Sequence, residues 1–272
     1  MRIAFIGGGN MARAIIGGLL ARGAANAEEI LVVEPDSSAR LRLLAEYGVK
    51  AIEAPNADLA HAHAVILAVK PQNMHEAAAQ LATVVGDALF ITIAAGIRIA
   101  DLSRWLGGTG RIVRCMPNTP ALVHAGITGL HAPPGLSQQD RDVAERLLGA
   151  VGATLWFDNE GDLDVVVAVS GSGPAYVFYA IEALEHAARE LGLPEGASRS
   201  LALWTFVGAT KLAIERGEDP AKLRAQVTSK GGTTEAAIAV LDRTGVREKF
   251  LEAVRAARAR SVEMGEELGK DA

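Results

Sequence analysis

Two glycine-rich stretches hold the residues whose types and spacing could do chemistry. In the first, Gly7-Gly8-Gly9-Asn10-Met11-Ala12 reads G-x-G-x-x-A. Gly7 permits a tight turn, Gly9 lets a pyrophosphate approach the backbone, and Ala12 lets a helix pack closely on a strand. Free N–H groups at the start of that helix would face the phosphates of a dinucleotide. In the second, Thr228-Ser229-Lys230-Gly231-Gly232-Thr233-Thr234-Glu235-Ala236, two glycines precede threonines that open a helix. The N–H groups of such a loop form a nest suited to a carboxylate, and threonine hydroxyls can donate to or accept from a substrate atom. Each stretch also has a plainer reading: a glycine turn and an N-capped helix, with no ligand.

The elements that must position these residues follow from the apolar pattern. Arg2-Ile3-Ala4-Phe5-Ile6 is the short apolar run of a buried parallel strand, and Ile15, Ile16, Leu19 and Leu20 then recur at helical spacing. A second strand over 30–33 ends in Glu34, where the dinucleotide fingerprint expects a carboxylate for the adenosine ribose hydroxyls. An acid there favours NAD, because it repels a 2′-phosphate. Ser37, Ser38 and Arg40 follow at once and could hold that phosphate, so both cofactors stay open. Asn56 and Asp58 flank a short helical turn. A third strand over 64–69 runs into Lys70-Pro71, at the carboxyl edge where open parallel sheets bind ligands. A helix is expected over 73–85, then a fourth strand over 89–94 that ends in Ala95-Gly96. Those small residues would let nicotinamide and ribose lie against the backbone.

Further strands over 111–116, 126–131 and 153–157, with helices between them, complete the alternation of a doubly wound α/β domain. Pro117-Asn118-Thr119-Pro120 makes a stiff loop at another carboxyl end, and Cys115 reads as a small core residue. The polar turn 158–162 is the best boundary, giving a dinucleotide-binding domain over 1–160 and a second domain over 161–272. The second half reads as all helix, over 174–191, 201–214, 223–227, 233–241 and 246–262. Thin, alanine-rich helices make a small core, so dimerisation through this half is expected. Ser170-Gly171-Ser172-Gly173-Pro174 should interrupt the helical pattern, either as a capped helix start or as backbone turned toward a cavity.

Composition excludes several classes. The chain has 272 residues and a net charge of −5, with no basic patch for nucleic acid. No uninterrupted apolar stretch reaches the ~18 residues of a membrane helix. A single cysteine cannot form an intramolecular disulfide, which fits a reducing cytoplasm, and no signal-peptide pattern precedes the first strand. His61 and His63 read as a solvated helix end, so no metal is expected.

With these motifs in order along the chain, the sequence resembles the pyrroline-5-carboxylate reductases, which complete proline synthesis. The matching stretches are 5–11, Ala68-Val69-Lys70-Pro71, Ala94-Ala95-Gly96, Met116-Pro117-Asn118-Thr119-Pro120, 170–176 and 229–234. The resemblance implies a Rossmann-type parallel-sheet domain, an all-helical dimerisation domain, a homodimer or larger assembly, and NADPH or NADH as hydride donor. It carries cofactor contacts to Ile6, Gly7, Gly8, Gly9, Asn10, Met11, Glu34, Asn56, Val69, Lys70, Pro71 and Ala95. Substrate contacts carry to Glu160, Gly232, Thr233 and Thr234, with Thr234 serving the ring nitrogen. Two departures stand out: Glu34 replaces the small hydroxyl residue common at that position, which raises the odds of NADH, and Lys230 replaces a proline. A 3-hydroxyacid dehydrogenase would want a helical lysine followed four residues later by asparagine. Lys211 is followed there by Glu215, so that pattern fails. A dinucleotide-binding regulator without catalysis would need no substrate nest.

Overall fold

The computed structural model describes residues 1–270. The first half alternates strand and helix: β1 (Ile3–Ile6), α1 (Asn10–Ala21), β2 (Ile30–Val33), α2 (Ser37–Tyr47), β3 (Lys50–Ile52), β4 (Ala64–Leu67), α3 (Met74–Leu81), β5 (Leu89–Thr92), α4 (Ile99–Trp105), β6 (Ile112–Met116), β7 (Gly126–His131), α5 (Gln138–Gly149) and β8 (Gly152–Trp156). Helices follow: α6 (Asp162–Val166), α7 (Gly173–Glu190), α8 (Glu195–Arg216), α9 (Pro220–Gln226), α10 (Thr233–Arg243) and α11 (Val246–Leu268). The strands form one eight-stranded sheet in the order β3-β2-β1-β4-β5-β6-β7-β8. All pairings are parallel except β6 with β7, which run antiparallel, with Cys115 opposite Leu130.

The strand residues explain the two-sided architecture. Ile3 and Phe5 enter one buried cluster with Ile15, Ile16 and Leu19 of α1. Ala4 and Ile6 enter another with Val65, Leu67, Met74 and Leu81. Successive side chains of a strand point to opposite faces, so an unbroken apolar run demands cover on both sides, and helices supply it.

The structure differs from the sequence expectations at several places, and α8 and α11 are longer than expected, starting at Glu195 and ending at Leu268 respectively. A short edge strand, β3, occupies 50–52, with Lys50 exposed. The helix expected over 73–85 is shorter, because Pro71–Asn73 form a 3-10 turn and α3 ends at Leu81. The interruption expected at 170–174 is present. α6 ends at Val166, and Val167–Gly171 form a π-turn in which the Ser172 N–H donates to the Val167 carbonyl at 2.8 Å. Ser172 is a bend, and α7 starts at Gly173.

The chain divides into two compact units: residues 1–172 together with the chain from Ala257 onward, and Gly173–Ala256. Within the second, α7 packs on α8. Neither α7 nor α10 has a buried residue, and Phe178, Tyr179, Leu191, Trp204 and Ile214 are each at least 66% exposed. By length and averaged composition, the run Asp162–Glu190 is apolar enough to cross a membrane, although no uninterrupted apolar stretch of that length exists.

Candidate active site

The strand order puts β1 beside β4, while the chain leaves β1 toward β2 and returns across the sheet to β4. Ligands bind at such a switch point, outside the carboxyl ends of the strands. Gly7 turns there with φ +96°, and a Cβ on it would stand 2.9 Å from the Ala68 carbonyl oxygen at the end of β4. Only glycine satisfies both demands. Gly9, the N-cap of α1, is different: a Cβ there would meet nothing within 4 Å. The first backward helical bond is Arg13 N–H to the Gly9 carbonyl at 2.9 Å, and no side chain caps the helix. The N–H groups of Asn10, Met11 and Ala12 therefore lack helical acceptors and could meet an anion. Ala12 is fully buried beneath them. An anion-binding helix start with clear space over Gly9 fits the pyrophosphate of a nicotinamide dinucleotide.

Glu34 sits beside this loop. Its Oε2 accepts the Gly8 N–H at 2.8 Å and its Oε1 accepts the Asp36 N–H at 2.9 Å. Asp36 caps α2 by accepting the Ser38 and Ala39 N–H groups. Arg40 lies close, with Nη1 donating to the Glu34 and Pro35 carbonyls at 2.7 Å each. Thus the carboxylate and the guanidinium flank the same strand end. Asn56 accepts the Asp58 N–H at 2.9 Å and caps a 3-10 turn over Ala57–His61. Val69 and Pro71 are half-buried after β4, and Lys70 between them is exposed, with no ion pair among the described residues. Ala95 is half-buried in the turn after β5, followed by Gly96 at φ +77°.

Glu160 belongs to a charge cluster in the same unit. Its Oε1 accepts the Ile99 N–H at 2.8 Å and Arg114 Nη1 at 3.1 Å. Arg114 is 2% exposed, and burial pushes its guanidinium pKa down, opposed by the charge of Glu160. Asp164, also buried, accepts Arg98 Nη2 at 2.7 Å and the Ser261 hydroxyl at 2.8 Å. The signal that could have found this cluster is Arg114 itself, a charge inside the apolar strand Ile112-Val113-Arg114-Cys115. Asn118 also escaped assignment. Its Nδ2 donates to the Ser170 carbonyl at 3.1 Å, and its Oδ1 accepts the Ile127 N–H at 2.9 Å.

In the helical unit the second glycine loop has a built geometry of its own. Gly231 adopts φ +74° and donates its N–H to Glu235 Oε2 at 2.7 Å. Gly232 is the N-cap of α10, and a Cβ on it would stand 2.6 Å from Ser229 Oγ. The first helical bond runs from the Ala236 N–H to the Gly232 carbonyl at 3.2 Å. The Thr233, Thr234 and Glu235 N–H groups consequently lack helical acceptors. Neither threonine hydroxyl has a hydrogen-bond partner among the described residues, and Lys230 is exposed. Lys211 pairs with Glu215 at 3.7 Å on the solvent face of α8. No group of His, Cys, Asp and Glu among the described residues could hold a metal ion.

Comparison with known proteins agrees with this geometry. Residues 160–264 match the family model "Pyrroline-5-carboxylate reductase dimerisation", and residues 2–96 match "NADP oxidoreductase coenzyme F420-dependent". The chain is 43% identical to the pyrroline-5-carboxylate reductase of Pseudomonas aeruginosa, over 99% of its own length and 98% of the relative's. It is 44% identical to that of Haemophilus influenzae, over 96% and 97%. Among solved structures, a pyrroline-5-carboxylate reductase from Coxiella burnetii matches at TM-score 0.91 and 39% identity, covering 97% of this chain and 98% of the other. The Plasmodium falciparum pyrroline carboxylate reductase with NADP bound matches at TM-score 0.86 and 26% identity, over the same shares. With a glycine turn that opens onto an uncapped helix start, a threonine-lined second helix start and full-length relatives above 40% identity, the chain belongs to the pyrroline-5-carboxylate reductase family.

Proposed function

We propose how this chain performs the reaction of its family, the NAD(P)H-dependent reduction of 1-pyrroline-5-carboxylate to L-proline. In our reading residues 1–160 hold the dinucleotide, and 161–272 hold the substrate and a second copy of the chain. The start of α1 binds the pyrophosphate, with Ile6 to Met11 around it. Glu34 takes the adenosine ribose, and Asn56, Val69-Lys70-Pro71 and Ala95 line the remainder. When bound, the reduced nicotinamide supplies the hydride that the C=N carbon accepts.

The open start of α10 carries the substrate assignment, because its N–H groups and two hydroxyls are unspent among the described residues. The backbone around Gly232 and Thr233 holds the carboxylate, as helix N-termini do. The Thr234 hydroxyl donates to the imine nitrogen and fixes the ring, then accepts its N–H once the nitrogen is protonated from water. Glu160 spends Oε1 on Arg114 and Ile99, which leaves Oε2 for the substrate. An imine is a ready acceptor once protonated, so positioning supplies most of the rate. The exposed aromatics of α7 and α8 are covered by a second copy, a reading supported by the dimerisation match.

Glu34 biases the enzyme toward NADH, since its carboxylate, held by Gly8 and Asp36, repels a 2′-phosphate. The deciding assay mixes purified protein with pyrroline-5-carboxylate and NADH or NADPH and follows loss of reduced nicotinamide absorbance. Loss that is faster with NADH supports both assignments. Loss that is faster with NADPH overturns the role of Glu34. No loss with either, despite dinucleotide binding, overturns the substrate assignment.

A further inference from the structure

The turn after β5 is held from behind by the end of α11. A Cβ on Gly96 would stand 2.9 Å from Leu268 Cδ1, and one on Gly265 would stand 3.1 Å from Arg98 Nε. Backbone and side chains therefore touch with no space between them. Arg98, two residues past Gly96, donates to Asp164 Oδ2 at 2.7 Å, while Ser261 of α11 donates to Asp164 Oδ1 at 2.8 Å. The next N–H, that of Ile99, goes to Glu160. Arg114 lies 3.1 Å from Glu160 and 3.8 Å from Asp164, so two cations meet two carboxylates.

Such a cluster is a poor source of net stability, because removing charges from water costs about what their attraction returns. What it does provide is fixed geometry. Asp164 ties Arg98 on one side and α11 on the other, and Ala95 and Gly96 lie at the free end of that clamp. We propose that Asp164 is a positioning residue for the dinucleotide, holding the Ala95-Gly96 turn through Arg98 and anchoring it to α11 through Ser261. This rests on the reading that Ala95 touches the cofactor.

The test measures dinucleotide affinity by calorimetry without the imine, beside KM for each substrate. Asp164→Asn should weaken NADH binding about tenfold and raise the NADH KM in step, with the imine KM within twofold. Ser261→Ala should shift affinity the same way about threefold, and Ser261→Thr should restore it. Folded variants that bind NADH as the wild type does, with only a lowered melting temperature, would overturn the proposal. If Asp164→Asn fails to fold, Ser261→Ala decides alone, since it removes one hydroxyl. Ala95→Val tests the underlying reading separately. Unchanged NADH binding there removes Ala95 from the cofactor site and the proposal with it, whereas weakened binding there with an unaffected Ser261→Ala rejects the positioning role alone.

Discussion

Asn118 supplies Ser170 with a hydrogen bond that Pro174 cannot. In an α-helix the Ser170 carbonyl would accept the N–H of residue 174, and proline has none. The Asn118 amide donates to that carbonyl instead, at 3.1 Å. A π-turn over Val167–Gly171 and a bend at Ser172 then lead into α7, which starts at Gly173.

Asn118→Ala should destabilise the protein by about 2–4 kcal/mol in urea denaturation, because it strands the Ser170 carbonyl and the Ile127 N–H together. Adding Pro174→Ala restores an N–H and should recover part of the loss. A double-mutant cycle with no coupling between the two positions would reject the link.

Thr234→Val should lower kcat by roughly 10²-fold or more, the scale for losing a donor that acts on the reacting centre. NADH affinity should stay within twofold, because the residue faces the imine in this mechanism. Thr234→Ser, which keeps the hydroxyl, should recover most of the rate. Equal losses in turnover and cofactor binding would move Thr234 out of the substrate site.

Glu34→Ser removes the charge beside Gly8. Unit charges ~5 Å apart at an effective dielectric of about 40 interact by about 1.7 kcal/mol, so NADPH use should rise roughly tenfold or more relative to NADH. The ratio of kcat/KM values for the two cofactors measures this directly. The substitution also frees the Gly8 and Asp36 N–H groups, so weaker NADH use should contribute to the change.

These substitutions fall in or beside motifs that the sequence displays, and the contrast with what it hides is physical. β1, β4 and β5 are legible because strands buried on both faces are apolar throughout, as in Ala64-Val65-Ile66-Leu67. β3 escapes because an edge strand of three residues with exposed Lys50 has no such run. The glycine loops are legible because backbone demands select glycine locally. The cluster of Arg98, Arg114, Asp164 and Ser261 is not, because its members lie up to 163 residues apart and only the fold assembles them. Gly171 and Pro174 do mark an irregularity, and only the fold shows its form, a π-turn with the Ser170 carbonyl taken by Asn118.

The acid limb of stability should depend on Asp140. The Arg111 guanidinium, 2.7 Å away, lowers the Asp140 carboxyl pKa below its ordinary value. A depressed carboxylate contributes stability that is complete above the unfolded value near ~3.9 and drains away as pH falls through the folded one. Asp140→Asn should therefore lower stability at pH 7 and flatten the loss between about pH 5 and pH 3. Denaturation midpoints across that range check it; a wild-type slope retained in the variant would assign the acid limb elsewhere.

Replacing Trp204 and Phe178 by glutamate should shift the assembly toward monomer. These side chains are 72% and 66% exposed within one protomer. Truncating a buried interface aromatic commonly costs about 2 kcal/mol or more, roughly 30-fold in affinity each. Light scattering across a dilution series reads the shift, and thermal stability should fall with it, since association and folding are linked. An unchanged assembly mass would place the interface on another face.

Cys115 has a consequence of its own for anyone wishing to watch this protein move. It is the single cysteine of the chain, enclosed in β6 at 1% exposure. Burial pushes its thiol pKa far up, so almost no thiolate exists near neutral pH. Toward maleimides and spin labels the folded chain is in effect blank. A change such as Lys230→Cys would install one addressable thiol next to the Gly231-Gly232 loop, and a fluorophore there would report on that loop without first deleting any native residue from the core.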